Sequence, residues 1–382
     1  MALKVASRGT IPPFIVMDVM TAAAERERAG GEVLHLEVGQ PSTPAPSKVI
    51  AAAQAALDAD VLGYTVALGV PALRERIAGH YRQAYGVTVP ADRIVVTTGS
   101  SGAFMLSFLS AFAVGDRVAL AAPGYPAYRN ILSALGVAAV ELPTDADTRF
   151  QPTPAHLQAL DRPVDGLIVA SPSNPTGTML APADMAALAR HCHDRGIRLV
   201  SDEIYHGITY GMAAETALAH SDSAIVINSF SKYYSMTGWR LGWMVVPEDL
   251  ARSVECLAQN LYISPPTLSQ HAAVAAFDCA AELDANVARY AANRTLLLDQ
   301  LPKAGFDRLA PADGAFYIYA EIGHLTNDSE AFCRRMLAET GVAATPGVDF
   351  DPRRGHATMR FSFAGATDDM ARAAERLRAW LA

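Results

Sequence analysis

The segment that leaves this chain the fewest options spans residues 224–246. It opens with three β-branched residues, Ile225, Val226 and Ile227, which read as a buried strand. A polar turn containing Asn228, Ser229 and Ser231 follows, and then Lys232. Arg240 comes next, between Gly238 and Gly242, and a second apolar run closes the segment from Trp243 to Val246. A lysine just past a buried strand is not a helix-surface lysine; a packed sheet would hold it firmly beside a crevice. Only four of the 31 basic residues are lysines, and Lys4, Lys48 and Lys303 lie near a terminus or a helix end. Lysine can be deprotonated by its surroundings and form a Schiff base, whereas arginine cannot. Lys232 is therefore a candidate nucleophile, the other reading of these residues being an ordinary exposed lysine in a loop.

Other apolar runs recur at 93–97, 117–122, 137–142, 165–170 and 197–201, with helical patterns at 14–29, 47–59, 182–195, 268–279, 283–301, 329–340 and 367–381. Short strands also read at 33–38, 313–319 and 356–363. This is an α/β chain, and chemistry-bearing residues fall at its strand ends. After 93–97 comes Thr98-Gly99-Ser100-Ser101-Gly102 and a helix, whose first unpaired N–H groups, dipole and serine hydroxyls suit an anion. The turn is neither a Walker A loop nor G-x-G-x-x-G, so it supports no nucleotide claim. Tyr125 follows the next strand, where an aromatic side chain can stack on a planar ring. Asn174, fixed between Pro172 and Pro175, can donate through its amide. Asp202 ends the strand at 197–201, and a buried carboxylate there needs a partner. In an open α/β sheet, ligands bind outside the carboxyl ends of the strands.

Three features carry less on their own. Gly39-Gln40-Pro41 reads as a turn, Tyr64 as an ordinary half-buried tyrosine, and Arg360 as a solvated arginine on an edge strand. His191 and His193 are two apart and do not share a helix face, so no metal site is expected.

Ser231-Lys232-x-Tyr234-x-Met236-x-Gly238-x-Arg240 closely resembles the lysine signature of the class I/II aminotransferases, fold-type I enzymes that use pyridoxal 5′-phosphate. Asn174-Pro175-Thr176-Gly177 and Asp202-Glu203-x-Tyr205 match further family motifs, and the resemblance runs from about Gly39 to Arg360. It implies a large domain at 41–285 with a mostly parallel, mixed seven-stranded sheet between helices. It also implies a smaller α+β domain at 286–382, with the segment 1–40 packing against it. By the same resemblance, Lys232 holds the cofactor as a Schiff base and later acts as general base. Asp202 pairs with the ring nitrogen, Tyr125 stacks on the ring, and Asn174 and Tyr205 bond its phenolic oxygen. Gly99, Ser100, Ser101, Ser229 and Arg240 hold the phosphate, joined by Tyr64 from the other subunit of a homodimer with shared sites. Arg360 clamps the substrate carboxylate, with Gly39 beside it.

The implied reaction is ping-pong transfer of an amino group from an L-amino acid to a 2-oxo acid. A C–S lyase or other β-eliminating enzyme on the same scaffold would share these motifs. A DNA-binding regulator with an aminotransferase-like domain fits poorly, because about 38 weakly basic residues precede Gly39. A net charge of −8 with dispersed basic residues argues against nucleic acid. Four scattered cysteines and a start without an apolar signal point to the cytoplasm, and residues 103–114 are too short to span a bilayer. In one aspartate-using branch of the family, a lysine in the Gly-rich turn meets the second carboxylate; here Ser101 stands there. The apolar segment Ile11-Pro12-Pro13-Phe14-Ile15 lies where the family often lines its side-chain pocket. A neutral amino donor is expected over aspartate.

Overall fold

The computed structural model describes residues 3–382. Its centre is a seven-stranded sheet of β1 (Ile94–Thr97), β2 (Arg117–Ala122), β3 (Ala138–Pro143), β4 (Gly166–Ala170), β5 (Arg198–Asp202), β6 (Ile225–Ser229) and β7 (Gly242–Val245). The strand order is β1-β7-β6-β5-β4-β2-β3. Only β7 runs against its neighbours; the remaining pairings are parallel. The strands are apolar on both sides because both faces are covered. Val95, Ile225, Ile227 and Met244 pack with Phe104 and Phe108 on one face. Their alternates Ile94, Val96, Val226 and Trp243 pack with Leu73, Ile77 and Tyr81 on the other.

A second core forms from Phe316, Ile318, Phe361, Leu377 and their neighbours. Leu34 and Leu36 belong to it, and Leu34–His35 pairs in parallel with Val342–Ala343. The start of the chain is thus built into its C-terminal third. The helix Ala280–Lys303 ties the two cores together: Leu283 packs in the first, Tyr290 and Leu297 in the second.

Several boundaries differ from the sequence reading. The strand expected at 33–38 is reduced to Leu34–His35, since its partner offers only two residues. The strand expected at 313–319 begins at Tyr317. The Gly/Ser turn after β1 is already helix, Gly99–Ala111. Thr358–Ser362 is no edge strand: it lies between Tyr317–Glu321 and Thr345–Pro346, which buries Arg360 to 2% exposure. Among the described residues no helix is long and apolar enough to cross a membrane, and no His/Cys/Asp/Glu cluster could hold a metal.

Candidate active site

The carboxyl ends of β4, β5 and β6 open into a cavity of about 580 Å³, closed on other sides by the N-terminal helix Ile15–Arg28 and by the second core. Lys232, Asp202, Tyr205, Asn174, Tyr125, Ser100, Ser101, Arg240, Gly39 and Arg360 all line it. Residues spread over more than 300 positions meet here because parallel strands deliver their C-terminal turns to one edge of the sheet.

The Lys232 ammonium donates to the Gly39 carbonyl at 2.5 Å and lies 5.7 Å from the centre of the Tyr205 ring. Burial lowers its pKa to about 8, helped by the positive charges of Arg360 and Arg240 and opposed by Asp202. Near neutral pH this amine is therefore a better nucleophile than a surface lysine. A Cβ on Gly39 would fall 2.0 Å from the Tyr317 hydroxyl, so only glycine brings its carbonyl this close.

Asp202 is the last residue of β5 and is 4% exposed. Burial raises its carboxyl to about 6; hydrogen bonds from the Tyr128 hydroxyl and the Ile204 N–H, and the charge of Lys232, pull the other way. Tyr128, three residues beyond Tyr125, carries no mark of function in the sequence. Its position in the first turn of helix Pro126–Leu135 aims its hydroxyl at Asp202. Tyr125 packs edge-on against Tyr128 and Phe14 at 5.2 and 5.7 Å. The Tyr205 hydroxyl bonds that of Tyr317 at 2.7 Å, another cavity residue the sequence did not single out.

The N-terminus of helix Gly99–Ala111, which has no side-chain cap, also borders the cavity. Ser100, Ser101 and Arg240 all line the cavity here, and the Arg240 guanidinium lies against Gly99. A Cβ on Gly99, whose φ is +73°, would meet Arg240 Nη2 at 2.6 Å. Arg240 itself holds φ +51°, a left-handed conformation that costs a non-glycine residue energy and recurs at functional sites. Ser229 is turned away from this place. Its hydroxyl donates within the turn, to Ser231 Oγ and the Leu241 carbonyl, and it is Ser231 and Thr237 that face the cavity.

Arg360 is held by three hydrogen bonds: Nη1 to Asn174 Oδ1 at 2.8 Å, and Nη2 to the Glu37 carbonyl and to Thr345 Oγ1. Tyr317 and Phe350 stack on it, 4.3 and 4.9 Å from the guanidinium carbon. Two of its five N–H donors remain unspent, and the buried Nε is one of them. Of the apolar segment 11–15, only Phe14 lines the cavity; Val16, Met17 and Met20 complete that wall from the helix that follows. Tyr64 is not brought to this cavity: it is 83% exposed.

The sequence model "Aminotransferase class I and II" matches residues 31–377. A valine–pyruvate aminotransferase of Mycobacterium tuberculosis is 55% identical over 99% of this chain and 98% of its own. A crystal structure of an aminotransferase from Mycobacterium tuberculosis superposes with a TM-score of 0.98 at 55% identity, covering 100% of this chain and 99% of that one. A second, of a putative aminotransferase from Silicibacter pomeroyi, gives 0.94 at 54% identity, covering 99% of each.

Proposed function

This chain belongs to the class I and II aminotransferases, and from that premise we propose that it takes a neutral, aliphatic amino donor of the valine kind and passes its amino group to a small 2-oxo acid such as pyruvate. Amino-group transfer to a 2-oxo acid, with pyridoxal 5′-phosphate as cofactor, is the activity of the family. The residues present fit that cofactor. Lys232 offers an amine of lowered pKa to an aldehyde. Asp202 offers a buried carboxylate to a protonated ring nitrogen, and Tyr125 a ring face. The cradle at Gly99, with Ser100, Ser101 and Arg240, suits a phosphate. When bound, the cofactor supplies an electron sink that makes the donor's Cα proton removable.

The chain's own groups would do the rest. Arg360, fixed by Asn174, Glu37 and Thr345, meets the substrate carboxylate with its unspent donors and its charge. The Lys232 amine takes the proton from Cα and returns one to the acceptor. Tyr128 and the Ile204 N–H keep Asp202 ionised and oriented. Tyr205, braced by Tyr317, and Asn174, braced by Arg360, donate toward the phenolic oxygen.

The observation that carries the choice of donor is the wall of Phe14, Val16, Met17 and Met20. The cationic residues of the cavity are Lys232, Arg240 and Arg360, each with a role above, so a second substrate carboxylate would enter unpaired. The name of the Mycobacterium tuberculosis relative agrees with this reading. The test is kcat/KM for alanine, valine, methionine, phenylalanine and aspartate. A lead for aspartate of tenfold or more, about 1.4 kcal/mol, would overturn it.

The assembly we propose is a homodimer in the cytoplasm. Val61, Tyr64 and Val66 are exposed, and Ile263 is half exposed; their segments adjoin through the bonds of Thr267 to Gly63 and of Thr65 to Ser264. Burial of this patch against a second copy would carry Tyr64 to the partner's phosphate site. Four free cysteines suit a reducing compartment.

A further inference from the structure

The helix that supplies the side-chain wall does not cap itself. Helix Ile15–Arg28 starts after Phe14, which has no side chain able to accept its first N–H groups. The acceptor comes from more than 330 residues away. Asp349, 1% exposed, takes the Ile15 N–H on Oδ1 at 3.1 Å and the Val16 N–H on Oδ2 at 3.3 Å. It sits in the short turn Gly347–Asp349, which follows the strand pairing with that of Arg360. The same turn is anchored twice more. Arg129, from the helix that carries Tyr128, donates to the Asp349 carbonyl at 2.6 Å. Phe350, the next residue, stacks on the Arg360 guanidinium.

We infer that Asp349 is a positioning residue for donor specificity: its carboxylate latches the N-terminal helix so that the wall of Phe14, Val16, Met17 and Met20 stands at a set distance from Arg360. The inference rests on the proposed role of that wall in receiving the donor side chain. A carboxylate suits the place because the helix dipole is positive there and both oxygens have an N–H to accept. The latch reads the carboxylate anchor and the side-chain wall from one turn. A donor whose carboxylate is on Arg360 therefore finds its side chain measured by a wall referenced to the same point. A branched donor side chain extends further from the shared carboxylate than alanine's methyl group, so its binding depends more on where the wall stands.

The experiment uses the holoenzyme with Asp349→Asn and Asp349→Ala. Asparagine is isosteric and keeps one acceptor; alanine keeps none. A third variant, Ile15→Pro, removes one donor from the helix side. Proline is tolerated at the first helical position, and Phe14 already has the extended backbone (φ −95°, ψ 99°) that must precede it. Two readouts are taken. Amide hydrogen exchange over residues 14–20 should accelerate by about fivefold to tenfold in Asp349→Ala, the equilibrium factor of a lost cap, and less in Asp349→Asn. kcat/KM for valine should fall by about tenfold, mostly in KM, while that for alanine falls by less than about threefold. Ile15→Pro should move the valine-to-alanine ratio in the same direction. Unchanged exchange at 14–20 in Asp349→Ala overturns the latch. Faster exchange with equal losses for valine and alanine overturns its part in specificity. The exchange readout needs no substrate, so it stands even where the wild-type enzyme proves to prefer aspartate and the donor reading fails.

Discussion

Replacing Arg360 with lysine tests its proposed role as carboxylate anchor while keeping a positive charge in the site. The wild-type guanidinium spends three N–H groups on Asn174, Glu37 and Thr345, and two remain. An ammonium has three donors, and at this place they would have to serve both scaffold and substrate. Loss of one charge-assisted hydrogen bond to the substrate carboxylate costs about 2 kcal/mol, or roughly thirtyfold in kcat/KM. The amino donor and the 2-oxo acid share the carboxylate and little else. The same factor should therefore appear in both half-reactions, measured separately by single-turnover absorbance with valine and with pyruvate. Loss of scaffold bonds should also lower thermal stability, by about 1 kcal/mol per unreplaced bond. Thermal unfolding of the variant separates that effect from catalysis. A donor half-reaction that falls thirtyfold beside an acceptor half-reaction that does not change would show that Arg360 meets something other than the shared carboxylate, and the assignment would be refuted.

Other outcomes follow from the same geometry. Asp202→Ala should lower kcat by at least ~10²-fold, the scale of losing a preorganised electrostatic partner; a loss below about threefold means another group holds the ring nitrogen. If Tyr64 acts across a homodimer, mixing Tyr64→Phe with Lys232→Ala subunits should leave one site of each mixed dimer free of both changes, and activity titration would detect it. His206 donates Nε2–H to the Ser171 carbonyl at 3.0 Å and accepts from Tyr85 on Nδ1 at 2.8 Å, so it is buried in its neutral form. Burial depresses its pKa to about 3, and the stability it contributes is present above pH 6.5 and lost as pH falls toward that value. In denaturant titrations, the stability gap between wild type and His206→Asn should narrow by about 1.4 kcal/mol per pH unit below 6.5. A gap independent of pH would mean the imidazole is already charged in the folded state.

Much of this site was legible in the sequence, for a physical reason. Asp202 ends a short apolar run, and Tyr125, Asn174 and Lys232 stand in the turns that follow such runs. A parallel sheet with both faces covered has one edge at which such residues can meet. Strand period and turn chemistry are local properties, so they can be read without the fold. The N-terminus of helix Gly99–Ala111 was legible for the same reason, although its glycines and serines proved to be the helix's first turn and not a loop before it.

What the tertiary structure decided is pairing over distance. Arg360 looked like a solvated edge residue because sequence does not say which strands flank Thr358–Ser362; the two that do enclose it and bury it in the cavity wall. Ser229 has the right neighbours in sequence, yet its hydroxyl is spent inside the turn, a choice made by the Leu241 carbonyl twelve residues on. Tyr128 and Tyr317 carry no local mark of function; the first acquires its part by reaching Asp202, the second by reaching Tyr205. Tyr64 stays outside the cavity of its own chain. The cap of the N-terminal helix comes from Asp349, and no pattern of spacing links residue 15 to residue 349. Propensity and hydrophobic period are set by neighbours within a turn or two, whereas the partner of a buried polar atom is set by whichever surface the fold lays against it.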